Sequence, residues 1–421
     1  MSPDPRAHPH AQPVAVTGLG VIGATGNGVA AMDAAFDAGR EGVRRLTLWQ
    51  SELGAEFPVG QIDGDVRAML AEAIGPRLTA RLAKRLSRSD ELALIATAEA
   101  LRHAGLTALP PGTGAYLGES VCGTFTTEAV YERWKREAIA GARRRPDLGG
   151  FVHEGANSLD RLAEVFGFDG PTLNFMTACS SSANAIGMAA EEIRAGRAQV
   201  MLAGGADSLS RIAFYGFCSL KVTSPDGPRP FDANRHGMMV GEGAGMIVLE
   251  SLAHARARGA KVLALLSGYG LSCDAHHLTA PDPAGGGAIR AMREALHQAA
   301  IATSDVGYIN AHGTATLDND RVESIAVSQV FGLNVPVSST KRFFGHTLAA
   351  AGGIEAVIAV RALQRELLPA NLGMRDALAD ATLDLVREPR SAPGLRHVLS
   401  NSFGFGGNNA ALLFSRAGGH A

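Results

Sequence analysis

Two stretches far apart in the chain paraphrase each other, and this duplication constrains the fold more than any other feature. LNFMTACSSSANAIGMAAEEIRAG, residues 173–196, reads as a strand, a polar turn and a helix with Ile186, Ala190 and Ile193 on one face, closing at Gly196. VPVSSTKRFFGHTLAAAGGIEAVIAVRAL, residues 335–363, repeats that order with Ile354, Val357, Ile358 and Arg361 at i, i+3, i+4, i+7. In each copy a chemically useful side chain, Cys179 or His346, falls at or near the helix start. Elsewhere short β-rich runs alternate with Ala-rich helical patterns, which predicts an α/β fold with helices covering the sheet faces. Strands are expected at Val14–Thr17, Thr172–Thr177, Gln199–Ala203, Met246–Glu250, Val262–Tyr269, Tyr308–Asn310, Val335–Ser338, Val398–Asn401 and Ala410–Phe414. The expected organisation is a flexible tail over 1–12, an N-terminal half over 13–255 and a C-terminal half over 256–421, packed as one body because no Pro/Ser-rich linker divides them.

The first strand carries a distractor. VAVTGLGVIG, residues 14–23, has Gly18, Gly20 and Gly23 in the G-x-G-x-x-G spacing of a dinucleotide-binding turn. That reading needs an acidic residue at the end of a second strand about 20 positions on. Asp33 and Asp37 instead fall in a helical pattern, so a buried strand with a Gly-rich turn is the better expectation. With 51 glycines in 421 residues, three at this spacing carry little weight.

Thirty-nine basic and 41 acidic residues give a net charge of −2, so no global field points to nucleic acid. No apolar run approaches the length needed to span a bilayer, and the opening MSPDPRAHPHAQ lacks a signal-peptide core. Cys122, Cys179, Cys218 and Cys273 stand far apart with no C-x-x-C, so neither a disulfide framework nor a zinc knuckle is expected, and a reducing cytoplasm is. Between roughly Thr124 and Gly170 the composition turns charged and amphipathic, as in a solvated helical cap, with dimer contact or substrate cover as the alternative.

Cys218 and Cys273 read as small buried hydrophobes. Cys179 differs, because a thiol between a buried strand and a helix start meets unsatisfied N–H groups that favour thiolate. Among the 13 histidines, His8, His10 and His420 lie in tails, and His103, His254 and His297 lie in helical patterns. His312 in INAHGTAT and His346 in KRFFGHTLAAAGG follow strands in Gly-containing turns, where α/β active sites form. One Cys with two His suits a metal site poorly, since the spacings match no local ligand pattern. A cysteine protease pairs its Cys with one His and an orienting Asn or Asp. Acyl transfer to the thiol followed by carbon–carbon bond formation uses two neutral imidazoles against a developing enolate.

TACSSSANA at 177–185, AHGTAT with ND at 311–320, STKRFFGHTLAAAGGIEA at 339–356 and NSFGFGGNNA at 401–410 resemble the signature blocks of the elongating β-ketoacyl-acyl-carrier-protein synthases. RPFDANRHGMMVGEGAG at 229–245 is a fifth match, and the blocks run in family order over nearly the whole chain. The resemblance implies a duplicated thiolase fold, a five-layer α-β-α-β-α body that is usually dimeric. It implies that Cys179 takes an acyl chain from carrier-protein phosphopantetheine, with no bound cofactor and no metal. His312 and His346 would hold the malonyl thioester, promote loss of carbon dioxide and stabilise the enolate.

The same resemblance makes Lys341 the active-site lysine and Glu355 its structural partner. It makes the N–H groups of Cys179 and Phe405 an oxyanion hole, with Phe405 also a gate whose flanking glycines permit movement. Thr279, Thr314 and Thr316 match hydroxyls along the pantetheine arm, Phe231 an aromatic beside the malonyl carboxylate, and Val121 and Cys122 a loop bordering the acyl pocket. Asp320 with Glu323 fits a capping box and reads as structural.

Because a carrier protein is acidic, a local basic patch is expected. Arg77, Arg81, Lys84 and Arg88 at i, i+4, i+7, i+11 predict one helical face, and Lys221 aligns with a docking residue of the family. A thiolase would need a second Cys near the C-terminal Gly-rich loop, which NSFGFGGNN lacks, and a non-catalytic chain-length subunit would lack Cys179. Asn408 replaces the threonine common in fatty-acid enzymes. With FFGH and SLKVTSPDGPRPFD, it tilts the expectation to a bacterial type II polyketide or polyene ketosynthase, as a homodimer or beside a Cys-less partner.

Overall fold

The structure, a computed structural model, describes residues 12–141, 151–155, 157–378 and 383–418. The tail expected over 1–12 lies, but for Gln12, outside the described residues, as do His8, His10 and His420. The strands of three or more residues are β1 (Val14–Gly23), β2 (Gly114–Gly118), β3 (Thr172–Phe175), β4 (Val200–Asp207), β5 (Gly243–Ser251), β6 (Ala264–Cys273), β7 (Tyr308–Asn310), β8 (Pro336–Ser338), β9 (His397–Gly404) and β10 (Asn408–Ser415). Every strand expected from sequence is present. β2 was missed, because GAYLG is short and Gly-flanked and shows no alternation.

These strands lie in the order β8-β7-β9-β10-β6-β1-β5-β4-β2-β3, with Asp384–Leu385 added beyond β8. The two halves repeat one pattern. β4 runs parallel to β2 and antiparallel to β5, and β9 runs parallel to β7 and antiparallel to β10. Among the described strands, Val14–Val16 of β1 against Ala264–Leu266 of β6 joins the two half-sheets.

The principal helices are α1 (Val29–Asp37), α2 (Arg88–His103), α3 (Thr124–Ile139), α4 (Ser181–Arg194), α5 (Gly286–Ala299), α6 (Leu317–Phe331) and α7 (Ala351–Arg365). α4 and α7 lie between the two half-sheets, where Ile186, Ala190, Ile193, Ile354, Val357 and Ile358 join one core with residues of both. α2 covers the outside of the first half and α5 with α6 the outside of the second, which gives five layers. The i+7 position Arg361 leaves the apolar stripe and pairs with Asp33 of α1 at 2.5 Å.

VAVTGLGVIG is strand throughout, with no turn within it. A Cβ on Gly18 would come within 2.1 Å of the Ala100 carbonyl oxygen, and one on Gly20 within 1.9 Å of that of Ala96. The glycines thus let α2 lie directly on β1.

The basic stretch is not one helix. Arg77 ends the 3₁₀ turn Gly75–Arg77, Thr79 caps the four-residue helix Ala80–Ala83, and Ser87 caps α2 in a capping box with Asp90. Each cap satisfies the N–H groups of a new helix start and so restarts the rotation of side chains. Arg77, Arg81 and Lys84 are exposed, but Arg88 turns inward and grips the fully buried Glu242 through bonds of 2.7 and 2.6 Å. Arg88 is therefore removed from the docking set. α3, which opens the expected cap, buries none of its residues and is tied down by Glu128, which accepts from the Arg211 and Ile212 N–H groups.

Candidate active site

Cys179 follows Ala178, a non-glycine residue at φ 52°, in the 3₁₀ turn Ala178–Ser180 that leads into α4. The turn mounts the thiol at the end of the inter-sheet helix, and the surrounding bonds maintain the strained Ala178 backbone that precedes it. Ser181 Oγ bonds the Thr177 N–H at 2.9 Å, and Asn184 Nδ2 bonds Thr177 Oγ1 at 2.8 Å. The second copy has the same shape: Leu348 at φ 53° opens the 3₁₀ turn Leu348–Ala350 that leads into α7. Register thus pairs Cys179 with Ala349, and His346 stands three residues earlier.

His346 Nε2 lies 3.0 Å from Cys179 Sγ. His312 closes the group, its ring 5.2 Å from that of His346 with the planes at 83°. All three side chains are buried at the foot of a cavity of about 290 Å³ whose walls include Thr279, Thr314, Thr316, Phe217, Met238 and Phe405. Burial, then the Lys341 charge, then His346 hold the His312 pKa well below its ordinary value; burial and Lys341 do the same for His346. Both rings are neutral near pH 7. The three donor atoms lie within 4.8 Å of one another, but the Lys341 ammonium that acts on both imidazoles also opposes a divalent cation there.

The thiol departs from the expected thiolate. Burial pushes Cys179 up to about 11, against the pull of the Phe405 N–H and the Lys341 charge. Desolvation outweighs the helix start, and the resting group is a thiol. Cys122 is buried as well, but Cys273 is exposed and Cys218 half-buried, so Cys273 is no core residue.

Lys341 and Glu355 form a buried ion pair beside the His346 turn. Burial pushes the Glu355 carboxyl up to about 7, against the nearby Lys341. Asp320 caps no helix: Thr316 does, and Asp320 inside α6 accepts from the Phe231 N–H at 2.7 Å and the Ala315 N–H at 3.1 Å. Glu323 accepts from the His312 N–H at 2.9 Å and the Gly313 N–H at 2.8 Å, a contribution that the capping-box reading hid. Phe231 does not line the cavity; it is fully buried, with its ring against Gly313. Val121 faces a separate open depression, and neither it nor Cys122 lines the cavity. Lys221 is exposed at φ 57°, beside the cavity-lining Leu220 and Val222.

Phe405 heads a turn with Gly406 at φ 81° and Gly407 at φ 76°, a backbone that side chains rarely adopt, and its ring meets Phe217 at 5.8 Å. Phe217 went unnoticed in the sequence because nothing local marks it. No helix among the described residues is long and apolar enough to cross a membrane.

Residues 11–255 match the Beta-ketoacyl synthase, N-terminal domain family, and residues 263–375 match the Beta-ketoacyl synthase, C-terminal domain family. A protein of Streptomyces cyaneus described as putative polyketide beta-ketoacyl synthase 1 is 37% identical over 423 residues, covering 96% of this chain and 98% of its own. The 3-oxoacyl-[acyl-carrier-protein] synthase 2 of Rhizobium meliloti (strain 1021) is 45% identical over 262 residues, 60% of this chain and 62% of its own. Among solved structures, the ishigamide ketosynthase/chain length factor superposes with a TM-score of 0.88 at 31% identity, over 97% of this chain and 100% of that one. With its five-layer thiolase fold, the chain belongs to the β-ketoacyl synthases, the acyl-transferring condensing enzymes.

Proposed function

We propose that Cys179 is the acyl acceptor and that His312 and His346 run a decarboxylative condensation on a malonyl thioester. The observation that carries this is the pairing of His346 Nε2 with Cys179 Sγ at 3.0 Å, with His312 beside it at the foot of a threonine-bearing channel. The Cys179 sulfur adds to the acyl thioester carbonyl, the carbonyl oxygen sits against the Cys179 and Phe405 N–H groups, and the pantetheine sulfur leaves with the thiol proton. The malonyl thioester then binds with its carbonyl oxygen against the two neutral imidazoles. Its carboxylate departs as carbon dioxide, the electron pair passes to the enolate, and the enolate carbon attacks the acyl–Cys179 carbonyl. The new carbon–carbon bond forms as the sulfur–acyl bond breaks, which returns the thiol after protonation. Lys341 and Glu355 steady the His346 turn.

No cofactor is bound permanently in this reading; phosphopantetheine arrives on an acyl carrier protein and passes Thr279, Thr314 and Thr316. Arg77, Arg81, Lys84 and Lys221 are its docking cations, and the Phe405 turn is the gate. The working compartment is the cytoplasm. The pathway is of the type II polyketide kind, in line with the Streptomyces relative, and the partner is a Cys-less chain-length subunit. β3 supports a partner chain, since it is the outer strand of its half-sheet, with Leu173 within it exposed by 46% and Met176 just past its end by 58%.

Incubation of Cys179→Ala with acyl carrier protein is expected to give no acyl adduct by intact-protein mass spectrometry; a persisting adduct overturns the nucleophile. Co-purification with neighbouring gene products, followed by mass analysis of carrier-bound chains, tests the pathway. A homodimer that delivers saturated chains replaces the polyketide reading with fatty-acid elongation, the activity named for the Rhizobium relative.

A further inference from the structure

Strand register identifies, in each half, the residue that stands at the other half's strained turn. β4 and β9 each have eight residues, and in each the second residue, Met201 or Val398, pairs with the first residue of the parallel neighbour, Gly114 or Tyr308. Their last residues, Asp207 and Gly404, are therefore equivalent. The turns they face are equivalent too: Gly404 lies against Cys179, where an added Cβ would stand 3.1 Å from the Cys179 nitrogen, and Asp207 lies against Ala349.

The two positions differ in one respect. Asp207 Oδ2 accepts from the Ala349 N–H at 2.9 Å and from Ser120 Oγ at 2.6 Å. Its Oδ1 accepts from the N–H groups of Ser120, Val121 and Cys122 at 3.2, 2.9 and 3.2 Å. Every partner is a donor, and the carboxylate is fully buried, so its charge is spent on these bonds. At Gly404 there is no side chain to take the Cys179 N–H.

The geometry points to Asp207 as a positioning residue for His346: its carboxylate fills, over the Ala349 N–H, the slot that Gly404 leaves empty over the Cys179 N–H for the reacting oxyanion. This deepens the condensing-enzyme reading and rests on it. The duplicated fold builds two turns of one shape, one catalytic with its N–H kept open and one structural with its N–H capped. The cap fixes Ala349, three residues from His346, while the Val240–His346 bridge and the bond from the His346 N–H to the Met239 carbonyl, 2.7 Å, fix the other side. The same carboxylate ties down the 120–122 turn, so a fault at Asp207 reaches both. Its charge also acts on Cys179, in the direction that disfavours thiolate.

Asp207→Asn tests this, because the amide keeps the shape but turns a donor toward one set of N–H groups. In a variant whose circular dichroism matches wild type, decarboxylation of a malonyl thioester is expected to fall about tenfold or more in kcat with KM changed less than about twofold. The pH profile of Cys179 alkylation by iodoacetamide is expected to move to lower pH, which reads the loss of the Asp207 charge, while the split between kcat and KM reads the placement of His346. A folded variant with wild-type kcat overturns the proposal, whatever its alkylation profile. Should Asp207→Asn fail to fold, Gly404→Ala decides: acylation by a thioester is expected to drop about tenfold or more, since one oxyanion donor is worth at least that. Alkylation by iodoacetamide, which forms no oxyanion, is expected to persist, and undiminished acylation overturns the proposal. A wild-type chain that takes no acyl group on Cys179 sinks the condensing-enzyme reading itself, whereas the alkylation profile reads Asp207 independently of it.

Discussion

Cys179 Sγ and His346 Nε2 stand 3.0 Å apart across 167 positions of sequence, with the thiol pushed up to about 11 by burial and the imidazole held neutral. Alkylation of Cys179 by iodoacetamide should therefore climb about tenfold per pH unit through pH 8–10, with no plateau near neutrality. Lys341→Met, which removes a charge that favours thiolate, should slow alkylation at each pH. Mass spectrometry of the Cys179 adduct across a pH series checks both, and a plateau below pH 8 would contradict the buried-thiol account.

Glu323 holds the His312 and Gly313 N–H groups and also accepts from Asn401 Nδ2 at 3.1 Å. Glu323→Gln should keep Cys179 acylation and lower condensation about tenfold or more, through displacement of His312. The loss of a buried acceptor should also cost about 2 kcal/mol of stability, measurable by denaturant unfolding.

The buried histidines make the fold acid-sensitive in a defined window. Above pH 6.5 each is neutral folded and unfolded and contributes nothing. Below it the unfolded chain binds protons that His312 and His346 refuse, so stability falls as pH falls. Glu323 and Glu355, both pushed up to about 7, act in the opposite sense, since between pH 4.5 and 7 only the unfolded chain releases their protons. A comparison with His312→Gln isolates one term: from pH 7.5 to 5.5, wild type should lose about 1 kcal/mol relative to the variant.

Gly20→Ala should disrupt the first half, because the new Cβ would meet the Ala96 carbonyl oxygen at 1.9 Å and α2 would have to lift off β1. A loss of about 3 kcal/mol or an insoluble protein is expected by comparison of denaturant midpoints, against a small effect for Gly112→Ala, where an added Cβ would meet nothing described within 4 Å and the cost is confined to a φ of 75°.

By itself the sequence determined the elements that rest on local periodicity: all nine expected strands, the apolar stripes of α4 and α7, and the helical setting of Asp33 and Asp37. It also marked Cys179, His312 and His346, because a polar residue in a turn between an apolar strand and a helix is visible at short range. Tertiary structure alone decided the charges and partners of those residues. The Cys179 thiol belongs to its burial more than to its helix start, which overrides the dipole argument. Arg88 left the basic face because Glu242, 154 positions away, is buried within its reach. Asp320 and Glu323 follow the caps of a helix that begins earlier than their spacing suggested, and Asp207 acquired its place because β4 ends against the Leu348–Ala350 turn of the other half. Such roles depend on which groups lose their water to which neighbours, and long-range packing sets that.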